Sequence, residues 1–320
     1  MGFHISLFTK NLTRRNFIAG ASAVGINCLF SNPSSALSLH EPSHTAYRAA
    51  LQRAAHQLLE QPIVFKDPIA LKMLGLEKVR ELAKNLDVYR QPGSKFLRAS
   101  LVARSRLAED ELSKAYARGI RQYVILGAGL DSFAYRNPFS ELHIYEIDHP
   151  DTQAWKKERL KESNIIIPPS VTFVDVDFER QSLIAALNRT EFRFDKPAFV
   201  SWLGVTMYLT PEAVSNALAI VAQHFYQGSE IVFDYLLPGD ELTEKQRDMR
   251  IALSKRVQQM GEPWIGYFNT AELSAQMDQL GYKKLLVFTP EQINDRYFND
   301  RNDNFKVQGS SRLIHASNIL

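Results

Sequence analysis

The chain has 320 residues, 45% of them hydrophobic and 23% charged, enough for one large α/β domain or for one domain with an appended helical cap. Its formal charge of +3 resides in Lys10, Arg14 and Arg15, because residues 1–38 hold no acid; the neutral remainder excludes a strong electrostatic footprint for nucleic acid or an anionic membrane. The single cysteine, Cys28, lies in the same stretch, so the rest of the chain has no disulfide, no Cys-ligated zinc and no thiol nucleophile.

The N-terminus has the layout of an address. Thr13-Arg14-Arg15-Asn16-Phe17-Ile18 precedes an uncharged run from Ala19 to Phe30, and Ser31-Asn32-Pro33-Ser34-Ser35-Ala36 supplies breakers and small residues. Basic pair, apolar segment and small-residue exit are the order of a secretory signal, and paired arginines before Phe resemble the twin-arginine type. The apolar run is about 14 residues, short of the roughly 20 that cross hydrocarbon. Residues 1–38 are therefore expected to be a twin-arginine-type signal, cleaved after Ala36 or Ser38, rather than a stable membrane span. The protein would then be exported to the periplasm through the twin-arginine machinery; an unused signal would leave it cytoplasmic.

Residues 39–119 are expected to form a helical cap. Ala49, Leu51, Ala54, Ala55, Leu58 and Leu59 recur at helical spacing. Asp67-Pro68 opens a further helix with the proline in its first turn, and Ala99–Ala117 is amphipathic.

From residue 120 the period changes to short apolar runs separated by helical stretches, the pattern of βαβ units and a parallel sheet. Strands are expected at Tyr123–Leu126, Leu142–Ile147, Val171–Val176, Ala198–Leu203 and Ile231–Tyr235, with two late ones at Lys283–Phe288 and Arg312–Ala316. Helices fit at Asp151–Glu162, Gln181–Asn188, Pro211–His224, Thr243–Met260 and Thr270–Leu280. The predicted architecture is α/β and Rossmann-like: a seven-stranded, mostly parallel sheet over residues 120–320 behind an N-terminal helical cap.

Three strand ends carry candidate chemistry. The first strand runs into Gly127-Ala128-Gly129-Leu130-Asp131-Ser132, where glycines let backbone approach a ligand. Asp148 closes the second strand and can accept two ribose hydroxyls of an adenosine-type cofactor. Asp177-Phe178 follows the third, an acid and an aromatic suited to an adenine. A dinucleotide fingerprint needs a third Gly or Ala where Ser132 stands, and Asp131 would repel a pyrophosphate. S-adenosyl-L-methionine has no phosphate and is cationic at its amino and sulfonium groups, so the loop favours that methyl donor over NAD. An NAD(P)-dependent oxidoreductase and a non-catalytic exported S-adenosylmethionine-binding protein are the alternatives. No HExxH, CxxC, GxSxG or GK[ST] motif is present, which removes support for metal hydrolase, serine hydrolase and kinase chemistry.

Arg104-Ser105-Arg106-Leu107-Ala108-Glu109-Asp110, Leu126–Arg136 (LGAGLDSFAYR), Tyr145–Pro150 (YEIDHP) and Gly204–Leu209 (GVTMYL) resemble the leucine carboxyl methyltransferase family, the protein-phosphatase methyltransferases and their bacterial relatives. Gly261-Glu262-Pro263-Trp264 and Arg296–Asp303 (RYFNDRND) resemble its bacterial branch, and the likeness covers about residues 45–317. It implies a class I methyltransferase fold and O-methylation of a carboxylate on a small molecule or peptide. It also implies that Arg104 binds the methionine carboxylate of the donor, Gly127 and Gly129 line its backbone, Asp148 binds the ribose, and Asp177 with Phe178 frames the adenine. A carboxylate acceptor is already ionised near neutral pH, so no catalytic acid or base is assigned; Tyr208, Arg136 and Trp202 are lining candidates. One departure stands out. Phosphatase-directed members carry an acid before the glycine of the segment matching Gly204–Leu209, and here Leu203 holds that place, which argues against a phosphatase tail as acceptor.

Overall fold

The computed structural model describes residues 43–176 and 181–318; the signal segment with Cys28, and Asp177 and Phe178, lie outside the described residues. Among the described residues five helices come first: α1 (His44–Leu59), α2 (Pro68–Leu74), α3 (Leu76–Lys84), α4 (Leu86–Arg90) and α5 (Pro92–Ala117). Then follow β1 (Gln122–Leu126), β2 (His143–Asp148), α6 (Pro150–Glu162), β3 (Val171–Asp175), α7 (Leu183–Leu187), β4 (Ala198–Trp202), α8 (Pro211–His224) and β5 (Glu230–Leu236). The chain ends with α9 (Glu244–Gln258), α10 (Thr270–Leu280), β6 (Leu286–Phe288), α11 (Pro290–Tyr297) and β7 (Ser311–Ser317).

The seven strands form one sheet in the order β3-β2-β1-β4-β5-β7-β6, with β1 to β5 paired in parallel and β7 antiparallel to both β5 and β6. This is the Rossmann-like, mostly parallel sheet expected from the strand–helix alternation. The chain leaves β1 toward β2 on one side and β4 toward β5 on the other, so a crevice opens between the carboxyl ends of β1 and β4.

Both faces are covered, so every residue of β1, β4 and β5 is buried. On one face Val124, Tyr145, Val200 and Phe233 pack against α7, α8 and α10 through residues such as Leu187, Leu218 and Met277. On the other, Tyr123, Ile125, Phe199 and Val232 pack against Val102, Leu107, Leu112 and Ala115 of α5, and against Ile293 of α11. Although α5 belongs by sequence order to the predicted cap, it is the principal cover of this sheet face. Only α1 to α4, joined by Leu160 of α6 and Leu130 of the glycine loop, form a separate cluster around Ala54, Met73 and Leu74.

The cap is fastened by buried charge. Arg98 on α5 meets Glu60 through Nε and Nη2, and His56 Nδ1 lies 2.9 Å from the same carboxylate. His56 Nε2 accepts the backbone N–H groups of Val64 and Phe65, which makes Nδ1 the protonated nitrogen and Glu60 its acceptor. The two strong hydrogen-bonding partners hold the Glu60 carboxyl below its ordinary range although burial opposes them.

If α5 is core rather than cap, Leu107→Ala should lose ~2–5 kcal/mol of stability, with loss of the sheet and helices in a single urea transition. A mild, separate early transition would contradict that placement.

Candidate active site

The glycine loop is held where β1 and β2 end together. Gly127 and Ala128 both donate their N–H to the Ile147 carbonyl, at 2.9 and 3.1 Å. Gly127 and Gly129 have φ of +66° and +44°, the left-handed region that side chains disfavour. A Cβ on Gly127 would lie 2.6 Å from Val205 Cγ2, and one on Gly129 would lie 3.1 Å from the Ala46 Cβ of α1. The loop is thus pressed by the turn after β4 on one side and by the first turn of α1 on the other.

Asp148 lies directly under this loop. Its Oδ2 accepts the Gly129 N–H at 2.6 Å and its Oδ1 accepts the His149 N–H at 2.7 Å. Burial raises its pKa above the ordinary aspartate range, with the two backbone donors working against the rise. Each carboxylate oxygen keeps a lone pair for a further donor, which suits a ribose. Asp131 serves the loop itself: its Oδ1 accepts the Phe133 N–H at 2.8 Å.

No α-helix follows the glycine loop. Among the described residues, the connection from β1 to β2 holds only a 3-10 turn at Phe133–Tyr135. A bound pyrophosphate normally rests on a helix N-terminus there; this loop offers none.

Arg104 reaches the crevice from α5. Its Nη1 donates to Asp234 Oδ2 at 2.9 Å, and Asp234 Oδ1 accepts the Gly204 N–H at 2.6 Å. A Cβ on Gly204, whose φ is +74°, would lie 2.3 Å from Arg104 Nη2. The guanidinium therefore lies flat against the backbone at the end of β4, positioned by an aspartate that is 2% exposed. Asp234 was missed in the sequence; the available signal was a lone acid inside the apolar run Ile231–Tyr235.

The structure thus gathers Arg104, Gly127, Gly129 and Asp148 around one crevice. Among the lining candidates, Tyr208 is within hydrogen-bonding reach of Thr45 and Trp264, with Arg104 nearby. Arg136 instead grips both oxygens of Glu109 and covers the Phe65 ring at 4.8 Å, and Trp202 is fully buried in the core. Both are structural. His149 caps α6 through Nδ1, and His143 pairs with Thr172. Among the described residues no group of three or more His, Cys, Asp or Glu could hold a metal, and no helix is long and apolar enough to cross a membrane.

Residues 46–222 match the model of the leucine carboxyl methyltransferase family. A Bacillus subtilis (strain 168) protein, YktD, whose name places it provisionally among the S-adenosyl-L-methionine-dependent methyltransferases, is 32% identical over 302 residues, covering 87% of this chain and 98% of its own. The chain belongs to the leucine carboxyl methyltransferase family. It is an S-adenosyl-L-methionine-dependent methyltransferase. A Mycobacterium marinum protein with the same provisional description is 29% identical over 252 residues, covering 74% of this chain and 80% of its own. A solved structure from Thermobifida fusca YX, provisionally a methyltransferase, aligns with a TM-score of 0.54 at 16% identity over 88% of this chain and 97% of that one, a likeness of fold.

Removing the Asp234 carboxylate strands both the guanidinium and the Gly204 N–H. Asp234→Ala should therefore cost ~3–5 kcal/mol in chemical denaturation. Asp234→Asn, which keeps an acceptor for the N–H, should cost visibly less; equal losses would mean that the pair does not organise the crevice.

Proposed function

We propose that the chain transfers the methyl group of S-adenosyl-L-methionine to a carboxylate oxygen on a small molecule or peptide. The observation that carries this reading is the meeting of a helix-less glycine loop, Asp148 and the Asp234-held Arg104 at one crevice. These residues fit the donor group by group. The glycines keep side chains away from its chain, the Asp148 oxygens would accept ribose hydroxyls, and the Arg104 guanidinium suits its carboxylate. When bound, the donor supplies an electrophilic methyl on a sulfonium.

The protein's share of the work is positioning. A carboxylate acceptor is ionised near neutral pH and needs no proton removed, so the chain has only to hold the two reactants in line and exclude water. α1 lies over the glycine loop with Ala46 against Gly129, and so supplies that exclusion. Family membership favours a carboxylate acceptor. Leu203, in place of the acid carried by phosphatase-directed members, favours one other than a phosphatase tail.

Asp148 gives the reading its test. Asp148→Ala should weaken calorimetric binding of S-adenosylhomocysteine by about 1.5–3 kcal/mol, the worth of a charged hydrogen bond. Because burial raises the Asp148 pKa, the ionised form is the harder one to keep. On acidification, wild-type binding should therefore fade at a higher pH than an ordinary aspartate would set, and Asp148→Asn should bind weakly without that fading. Stabilisation of the wild type by NADH but not by S-adenosylhomocysteine would sink the proposal.

We further propose that residues 1–38 direct export through the twin-arginine route, on the strength of Arg14-Arg15-Asn16-Phe17 and the short apolar run that follows. Fractionation with an antibody to the body of the protein should find a shortened periplasmic form; a full-length cytoplasmic form would overturn it.

A further inference from the structure

Three segments distant in sequence meet over the glycine loop. The stretch after α9 is bonded to the turn after β4: Ile265 and Gly266 both donate their N–H to the Met207 carbonyl, at 2.8 and 3.0 Å. The fit is close. A Cβ on Gly266 would lie 2.3 Å from the Thr206 carbonyl oxygen and 2.6 Å from that of Leu209. This anchored stretch presents Glu262, 8% exposed, to the start of α1, where its Oε1 accepts the His44 N–H at 3.0 Å across 218 residues of sequence. Tyr208, Thr45 and Trp264 pack beside that contact.

The electrostatics of α1 give the contact a purpose. The first turn of a helix carries unpaired N–H groups and a partial positive charge, which acids in that turn usually offset. The first turn of α1 has no acidic residue; Ser43 caps it by accepting the Ala46 N–H at 3.2 Å. Glu262 brings the missing anion from elsewhere in the chain. The turn it holds carries Ala46, whose methyl stands against Gly129.

We infer that Glu262 is a positioning residue for the donor site, a clasp that holds the first turn of α1 down on the glycine loop and so governs how readily the donor leaves. The inference rests on the reading of the crevice as the donor site. Glu262 touches neither donor nor acceptor in this account; it acts through His44 and Ala46.

The test uses the full chain and S-adenosylhomocysteine as probe, with dissociation followed by stopped-flow and amide exchange followed at residues 44–50. Glu262→Ala should speed dissociation about tenfold and should speed exchange of the first amides of α1 in the bound protein, leaving exchange in β1, β4 and β5 unchanged. Glu262→Gln keeps an acceptor for the His44 N–H and the same volume, so it should recover most of the slow dissociation. It also carries the comparison should the alanine variant fold poorly. Asp278→Ala, the loss of an exposed acid on α10, should match the wild type. Faster exchange at the start of α1 with an unchanged dissociation rate would overturn the inference while leaving the donor site intact. Failure of the wild type to bind the probe would overturn the donor site itself, and the clasp with it.

Discussion

The loop after β1 has no room for side chains, and much of the site follows from that. Val205 approaches Gly127 from the turn after β4, Ala46 approaches Gly129 from α1, and the Asp148 carboxylate pins the Gly129 N–H from below. Three elements can converge this tightly only because two positions in three residues have no Cβ. A side chain at either glycine would push the β4 turn or α1 away, and the crevice would lose a wall or its roof.

Buried charge sets where the roof sits. Arg53 on α1 bonds Asp67 at 3.0 Å and also donates to the Leu130 carbonyl of the glycine loop. Arg136, just beyond the loop, grips Glu109 on α5 and lies 3.5 Å from Asp67. Pairs like these gain little net stability, since desolvation offsets most of their attraction, yet a misdocked cap would strand a buried charge at several kcal/mol. Their directional character therefore acts on register more than on stability. They connect α1, the start of α2 and α5 to the loop that the cap covers.

Much of this was legible because it is local. The apolar runs located all seven strands, Pro211–His224 and Thr270–Leu280 were read to the residue, and the Gly127–Gly129 loop with Asp148 followed from spacing alone. Boundaries slipped where caps decide them. α5 begins at Pro92 rather than Ala99, because a proline that reads as a breaker is welcome at the first helical position. β6 begins at Leu286 rather than Lys283, because its ladder with β7 starts only at the Leu286–His315 pair. α11 was not anticipated; it is short, with Ile293 and Tyr297 as its only non-proline apolar residues, yet Thr289 and Gln292 form a capping box around Pro290 that would have marked it. What could not be read were contacts across long separations: Asp234 beneath Arg104, 130 residues away, and Glu262 at the start of α1. No local period or propensity encodes such a pairing.

The two unread contacts share a place in the chain, beyond the family match. The family match ends at residue 222 and takes in Arg104, the glycine loop, Asp148 and the turn at Gly204, all on or beside β1, β2 and β4. Asp234, Glu262 and the elements from β6 to β7 lie beyond it, yet Asp234 bonds Arg104 and Glu262 bonds the start of α1. The transfer to an ionised oxygen proposed above would need no dedicated base, which would leave the later part of the chain a positioning role. Two of its acids sit where such a role needs them, Asp234 beneath the guanidinium and Glu262 at the start of the first helix. Leu203, just after β4 and inside the matched region, packs its side chain with the α5 face of the sheet. Asp234 and Glu262 thus tie the ends of β4 and α1 to the part of the chain that lies beyond the family match.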